Sequence, residues 1–361
     1  PAVSFLTDAK WIYDTALASC KQTFGDHAEH PLLAALIFGK AELMRARKEM
    51  DEAMQLYEQS LNMRRHILKG THPAISDCLV GMAETLRFEN KFNKAEPLLI
   101  KAIQIRQNTF PGEDSHPSIP DAQCSLAMLY YSMGRYLEAQ PLYAESLHTR
   151  EKLLGRFHIS TAQSLNNFAG LLHTTGKFER ALPYYRRTLE IKIEVLGEVH
   201  PDVASAKNNL GLLLKAMGSY DESKKVYEEA LSTFKKTFGE MHADVASTLN
   251  NMAALYVAVG NTQKGKDLYR ESLHIKKKVL GIEHTSVAAS LNNLAGLCFS
   301  CGDMDDAKDY YEESLRIRRD VYGDEHPTVA ESMNNIGLLL FSQGDFANSR
   351  PLFEKAIAIK S

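Results

Sequence analysis

"HTSVAASLNNLAGLCFSCGDMDDAKDYYEESLRIRRDVYG", residues 284–323, contains two helix-like patterns separated by a glycine. It opens on a histidine and closes on a glycine-containing turn that leads to the next histidine. The same anchor stands at His30, His72, His116, His158, His200, His242, His284 and His326, so the intervals are 42, 44, 42, 42, 42, 42 and 42 residues. The single 44 comes from a longer turn, "FPGEDSHP", residues 110–117. Fixed self-similarity at this period marks a stacked array, and a length of 361 residues then says nothing about separate globular domains.

Counted from the histidine, apolar residues fall at +3, +7, +10 and +14, as in Val203, Leu210 and Leu214, with Lys207 an exception at +7. These offsets share one face of a helix. A small residue occupies +11 (Gly211, Ala253, Ala295, Gly337), and glycine ends the helix at +18 (Gly134, Gly176, Gly218, Gly260, Gly302, Gly344). The second helix carries an aromatic at +20 (Tyr136, Phe178, Tyr220, Phe346) and a small residue at +23 (Ala139, Ala181, Ser223, Gly265, Ala307, Ser349). Tyrosine follows at +27 (Tyr57, Tyr143, Tyr185, Tyr227, Tyr269, Tyr311), and a small–aliphatic pair at +30 and +31, as in Ser314-Leu315. Small residues let two helices approach, and the aromatics fill the space between neighbouring pairs. Pro31, Pro73, Pro117, Pro201 and Pro327 suit a first helical turn, where a missing N–H costs nothing. The histidines lack partner ligands at zinc spacing, so a structural role in the turn is expected rather than metal binding.

The expected architecture is therefore all-α, a right-handed superhelical solenoid of stacked helix-turn-helix units. The units are read as 30–71, 72–115, 116–157, 158–199, 200–241, 242–283, 284–325 and a truncated 326–361, preceded by the second helix of a truncated unit at 5–25. They form one continuous solenoid in this reading. The chain thus opens and closes inside a unit without a polar capping helix, and both ends read as boundaries within a longer array or protein, with self-association through uncapped ends as a possible property.

Composition excludes several function classes. Forty-two basic residues against 45 acidic give a net charge of −3, which asks for neither nucleic acid nor an anionic membrane. No apolar run approaches the roughly 18 residues of a membrane-spanning helix. The five cysteines show no disulfide framework, and a reducing, cytoplasmic setting is the default. "CFSC", 298–301, has redox or zinc spacing but no second pair, and reads as buried or idle thiols. Lys276–Lys278 and Arg186-Arg187 read as a solvated outer face. No phosphate loop, no nucleophile–base set and no carboxylate pair stands out, so neither enzyme activity nor a cofactor is expected.

One polar feature is periodic. Asparagine pairs recur at Asn166-Asn167, Asn208-Asn209, Asn250-Asn251, Asn292-Asn293 and Asn334-Asn335, offsets +8 and +9. Asn is a poor helix former because its side chain competes for backbone hydrogen bonds. On a helical wheel at about 100° per residue these offsets lie opposite the apolar stripe, facing the concave side of a stacked array. Two readings stand. The amides grip the backbone of an extended peptide, or they form an internal ladder that fixes the pitch of the array. His173, Lys215, Val257, Phe299 and Phe341, with Gln163 and Glu331, are read as the other groove positions. The first three units lack the pairs and offer Phe38, Arg45, Asp77, Glu84, Arg87, Phe88, Asp121, Cys124 and Tyr131, either a drifted surface or a second sub-site.

A period of 42 also suits propeller blades and HEAT or armadillo units, but long helical stripes and the Gly–aromatic–small–Tyr–small order match tetratricopeptide repeats, whose usual period is about 34. The units "HPDVASAKNNLGLLLKAMGSYDESKKVYEEALSTFKKTFG" and 284–323 resemble the 42-residue tetratricopeptide repeats of kinesin light chains and nephrocystin-3. That resemblance implies a non-enzymatic scaffold or adaptor that holds a peptide of a partner protein in its concave groove. It places the contacts at the ten asparagines and at nearby basic side chains, of which Arg45, Arg87 and Lys215 are the obvious ones. A structural, self-associating or sensor array within a signalling or ciliary protein is the alternative.

Overall fold

The computed structural model describes residues 2–25, 29–68, 70–112 and 116–360, and the side chains of all of these except 2–7 and 360. Residues 113–115 of the longer turn therefore lie outside the described residues. Among those described there are seventeen α-helices and no strand. After α1 (Ala2–Phe24) come eight helix pairs. The first helices are α2 (Pro31–Ala46), α4 (Pro73–Phe88), α6 (Ser118–Ser132), α8 (Ile159–Thr174), α10 (Pro201–Ala216), α12 (Ala243–Ala258), α14 (Thr285–Cys301) and α16 (Pro327–Ser342). The second helices are α3 (Met50–Ile67), α5 (Phe92–Thr109), α7 (Tyr136–Leu154), α9 (Phe178–Leu196), α11 (Tyr220–Phe238), α13 (Thr262–Leu280), α15 (Met304–Tyr322) and α17 (Phe346–Lys360).

The chain falls into two compact units, Pro1–Ile191 and Lys192–Ser361, divided within α9. In the first unit each helix from α1 to α8 packs on the next, and in the second each from α10 to α17 does so. First helices also touch one another, α2 with α4 and α4 with α6 in one unit and α10 with α12 in the other. Among the described residues no two second helices are shown packing to that degree, and the first helices form the closer-spaced inner layer of each unit.

The anchoring histidine begins every first helix. Its Nδ1 accepts the backbone N–H two residues on, at 3.0–3.3 Å in all eight cases. That satisfies one of the donors a helix start leaves orphaned. Four of the rings also stack on the aromatic that ends the preceding helix: Phe24 on His30 at 3.9 Å, Phe110 on His116 at 4.0 Å, Phe238 on His242 at 4.2 Å and Tyr322 on His326 at 4.3 Å. The histidine thus starts one helix and holds the end of the one before.

Two hydroxyl and amine contacts complete the docking. In four units the small residue at +30 is a serine whose Oγ donates to the +4 carbonyl of its own first helix: Ser60 to Ala34, Ser146 to Pro120, Ser272 to Ala246 and Ser314 to Ala288, at 2.6–2.8 Å. At +34, except in the His200 unit where Phe234 stands, a basic side chain reaches the start of the next first helix. Arg64 donates to the carbonyl of Ala74, Arg106 to Ser118, Arg150 to Ser160, Lys192 to Asp202 and Arg318 to Thr328. Arg150, Lys276 and Arg318 also donate to Ser164, Ser290 and Ser332. Arg64, Arg106, Arg150, Lys276 and Arg318 are buried. A buried cation is tolerated only when hydrogen-bonded, and these carbonyls and hydroxyls supply the bonds.

The turn between the helices of a pair needs a left-handed residue at +18. Glycine takes it in the later units, with φ 85° at Gly302. Lys48 and Asn90 hold the same place in the first two pairs at φ 65° and 57°, a conformation that costs a side chain about 1–2 kcal/mol and Asn less. Lys48→Gly is expected to raise the stability of the chain by about 1 kcal/mol, and Asn90→Gly by less, as read from urea midpoints. No gain at Lys48 would contradict the strain. At +11, a Cβ on Gly211 would lie 2.7 Å from Cε1 of Tyr227, a ring with no exposed surface. Gly211→Ala is expected to cost about 1–3 kcal/mol by the same measurement, although the next two units carry alanine there. Their tyrosines, Tyr269 and Tyr311, are slightly exposed and sit less deeply.

Candidate functional site

The ten asparagines lie on α8, α10, α12, α14 and α16, in the inner layer. Nine are half-buried and Asn293 is exposed. In the second unit they form a ladder between neighbouring first helices. Asn251 Nδ2 donates to Asn208 Oδ1 at 3.2 Å, Asn293 to Asn250 at 3.2 Å and Asn335 to Asn292 at 2.8 Å. The second asparagine of each helix reaches the first asparagine of the helix before. In the first unit Asn167 Nδ2 makes the equivalent reach to Cys124 Sγ, 3.2 Å away, and its Oδ1 accepts from Gln163 Nε2 at 2.9 Å. Cys124 stands at +8, where later units have Asn.

Each ladder bond engages one carbonyl and one N–H. It does not use the NH2 group of Asn208, Asn250 or Asn292, nor the carbonyl of Asn251, Asn293 or Asn335. Beside the ladder the wall of the second unit is built from small, uncharged side chains. Ser205, Ser247 and Ala289 occupy +5, and Ala216, Ala258, Ser300 and Ser342 occupy +16. Charge is sparse there. Glu331 is exposed, and Lys215 is half-buried, its pKa lowered by that burial.

Several side chains at +15 also pack against the second helix of their own pair. His173 meets Phe178 edge-on at 5.6 Å, and Phe341 meets Phe346 at 5.1 Å, so each closes the seam with the second helix of its pair. Val257 fills the space over Gly265, where its Cγ2 would lie 2.6 Å from an added Cβ. Phe299 is half-buried against the core of the second unit. Phe341 alone of the five is exposed, at 55%. Asn166, Asn209 and Asn334 share the face of the ladder and are half-buried.

The first unit presents a different wall. The ring of Tyr57 lies against Gly81 at +9 and would overlap an added Cβ, so an amide has no room there. Tyr57 donates to Glu42 Oε1 and accepts from Arg45 Nε, and burial together with the carboxylate beside it pushes its pKa well up. Arg87 pairs with Glu84 at 2.8 Å. The Arg45 and Arg87 of the sequence reading are therefore already engaged by acids of their own helix. The basic row at +34 keeps a regular spacing from the histidines, which is the signal of it that the sequence carries. Among the described residues no His, Cys, Asp and Glu cluster could hold a metal, and no helix is long and apolar enough to cross a membrane. All five cysteines are free, and only Cys301 is exposed.

A histidine that accepts through Nδ1 loses its cap bond when that nitrogen is protonated. Burial first, and then the charge of Arg318, lower the His326 pKa below its usual 6.5, with Glu331 opposing. A folded value below the unfolded one means that the unfolded chain binds the proton more readily. The contribution is therefore complete above about pH 6.5 and is lost as pH falls through the lowered folded value. Asn caps a helix without titrating. His326→Asn is accordingly expected to lose less of its urea midpoint between pH 7.5 and 5 than the parent chain does, and an equal loss would contradict this.

The Tetratricopeptide repeat profile matches residues 31–108, 118–194, 202–285 and 286–361. BtubC (BKLC) from P. vanneervenii is similar in structure, at 23% identity and a TM-score of 0.50, over 67% of this chain and 91% of that one. A putative kinesin light chain from Podosopora anserina with nearly identical TPR-like repeats matches at 23% identity and a TM-score of 0.50, over 57% of this chain and 97% of that one. A variant of that same protein matches at 23% and 0.52, over 58% and 98%. These likenesses concern the fold. No curated protein sequence matches the chain. With four matched segments covering most of its length, seventeen helices and eight capped pairs, the chain belongs to the tetratricopeptide repeat family, whose arrays are generally non-catalytic scaffolds for protein interaction.

Proposed function

We propose that the inner layer of the second unit holds an extended segment of a partner protein, in an adaptor role like that of a kinesin light chain. The observation that carries this reading is the half-exposed asparagine ladder on a wall of small, uncharged residues. The NH2 groups of Asn208, Asn250 and Asn292 suit peptide carbonyls, and the carbonyls of Asn251, Asn293 and Asn335 suit peptide N–H groups. Both kinds of contact are independent of peptide sequence. Asn209 and Asn334 continue the rows within the second unit, and Asn166 and Asn167 offer the same amide pair on α8 of the first. Small neighbours allow a backbone to come close, and exposed Phe341 offers an apolar contact at one end of the unit.

Recognition in this reading runs through the peptide backbone rather than through acidic side chains. Arg45 and Arg87 are paired with Glu42 and Glu84, and Lys215 is half-buried with a lowered pKa. A cytoplasmic location goes with the proposal, and the five free cysteines fit a reducing compartment.

The hydrogen bonds of the ladder also favour a second reading, in which the amides serve only to set the register of a structural or self-associating array. The two readings separate cleanly. A peptide selected from a displayed random library is titrated against the chain and against Asn250→Ala with Asn292→Ala. The binding reading expects about 10- to 100-fold weaker affinity in the folded variant, from the loss of two or more hydrogen bonds. The structural reading expects lower stability with unchanged affinity. Unchanged capture by a folded variant overturns the proposal.

A further inference from the structure

From the chemistry of the first unit we infer a second docking groove, which takes a segment bearing arginine or lysine side chains on an aliphatic backbone of contacts. The groove lies on the inner faces of α2, α4 and α6 and has a volume of about 560 Å³. Phe38, Val80 and Met128 provide apolar contact surface, and four carboxylates, Glu42, Asp77, Glu84 and Asp121, line it with them.

The cations near this groove are spoken for. Arg106, 6% exposed at its side chain, donates Nε to Ser76, a further N–H to the Ser118 carbonyl, and Nη2 to Asp77 at 2.8 Å. Arg150, 8% exposed, donates to Ser160 and Ser164 and through Nη2 to Asp121 at 2.5 Å. Arg87 gives both Nε and Nη2 to one oxygen of Glu84. Three of the acids keep a whole oxygen: these bonds use Oδ1 of Asp77, Oδ1 of Asp121 and Oε2 of Glu84, whereas Glu42 already accepts at both oxygens, from Arg45 and Tyr57, and a carboxylate has about four acceptor sites. Asp77 and Asp121 are also the open partners, 43% and 57% exposed. Arg45 and Arg106 also line the groove, each already paired with one of its acids, Glu42 and Asp77, and Asp77 and Asp121 are more open than the buried bases they hold.

The acids are not required to hold the buried base. In the second unit Lys276 occupies the position of Arg106 and Arg150 and donates to Ser290, with Ser247 standing where they have Asp77 and Asp121. At +12 the contrast repeats, Glu42 and Glu84 in the first unit against Leu212, Ala254 and Gly296 in the second. The staple between units works without these carboxylates, so their place on the inner face is free to serve a ligand. Charge complementarity selects a cationic segment, and the apolar residues between the acids select aliphatic side chains beside the charges.

The test uses two fluorescein-labelled nonapeptides, one alternating leucine and arginine, the other leucine and glutamate, titrated against the full chain by anisotropy. The arginine peptide is expected to bind at least tenfold more tightly, and at least fivefold less tightly when salt is raised from 50 to 300 mM. Ser125→Lys, which puts a cation among the lining residues, and Asp77→Asn with Asp121→Asn, which keeps the acceptors but removes charge, are each expected to weaken it at least tenfold. The Asn250→Ala and Asn292→Ala chain is expected to bind it within twofold of the parent, which keeps this groove distinct from the asparagine wall. No measurable binding, equal binding of the two peptides, insensitivity to the first-unit variants while folded by circular dichroism, or loss on the asparagine changes would each overturn the inference.

Discussion

Six of the second helices, α3, α5, α7, α9, α13 and α15, pass a basic side chain to the start of the next first helix, and the rest of the architecture leans on that handover. A base at +34 reaches a carbonyl two residues past the histidine, while in several units the ring of that histidine stacks on the preceding helix end. These contacts are directional, unlike apolar burial, so they fix the register of one pair on the next. The asparagine ladder needs that register. Its bonds join residues 43 apart, one more than the repeat, and a shift of the first helices along each other would separate them. Each bond is worth only about 1 kcal/mol net, but a missing partner in a buried position costs more than a present one contributes.

Much of the fold was legible because its signals are local and periodic. The apolar offsets gave the helices, the +18 glycines gave the turns, and the histidines gave the period. Lys48 and Asn90 escaped because they fill a glycine position, Lys with no turn signature and Asn with a weaker one than glycine, and their positive φ exposes them. The +34 bases looked like ordinary surface charges at the end of a helix. Their role appears only when the next first helix is in place, since the partner is a backbone carbonyl that no sequence pattern can advertise.

The site was legible in outline. The wheel put both asparagines away from the apolar stripe, but it describes one helix at a time. Whether an amide stops at its own surface or reaches a neighbour depends on the stagger between helices, and the structure makes the +9 to +8 reach. The wheel likewise could not show that His173 and Phe341, which it turned to the groove, also meet Phe178 and Phe346 of their own pairs. The absence of asparagine from the earliest units has a steric cause in the Tyr57 ring against Gly81. Two chemically different walls result: neutral amides and small residues in one unit, carboxylates and apolar side chains in the other.

The most direct measurement of the central claim is a crystal structure of the chain with a peptide selected for binding. The account predicts an extended peptide along α10, α12, α14 and α16, its main-chain carbonyls within hydrogen-bond distance of Nδ2 of Asn208, Asn250 and Asn292. A peptide seated on the second helices, or held on the inner face with those three amides untouched, would contradict it.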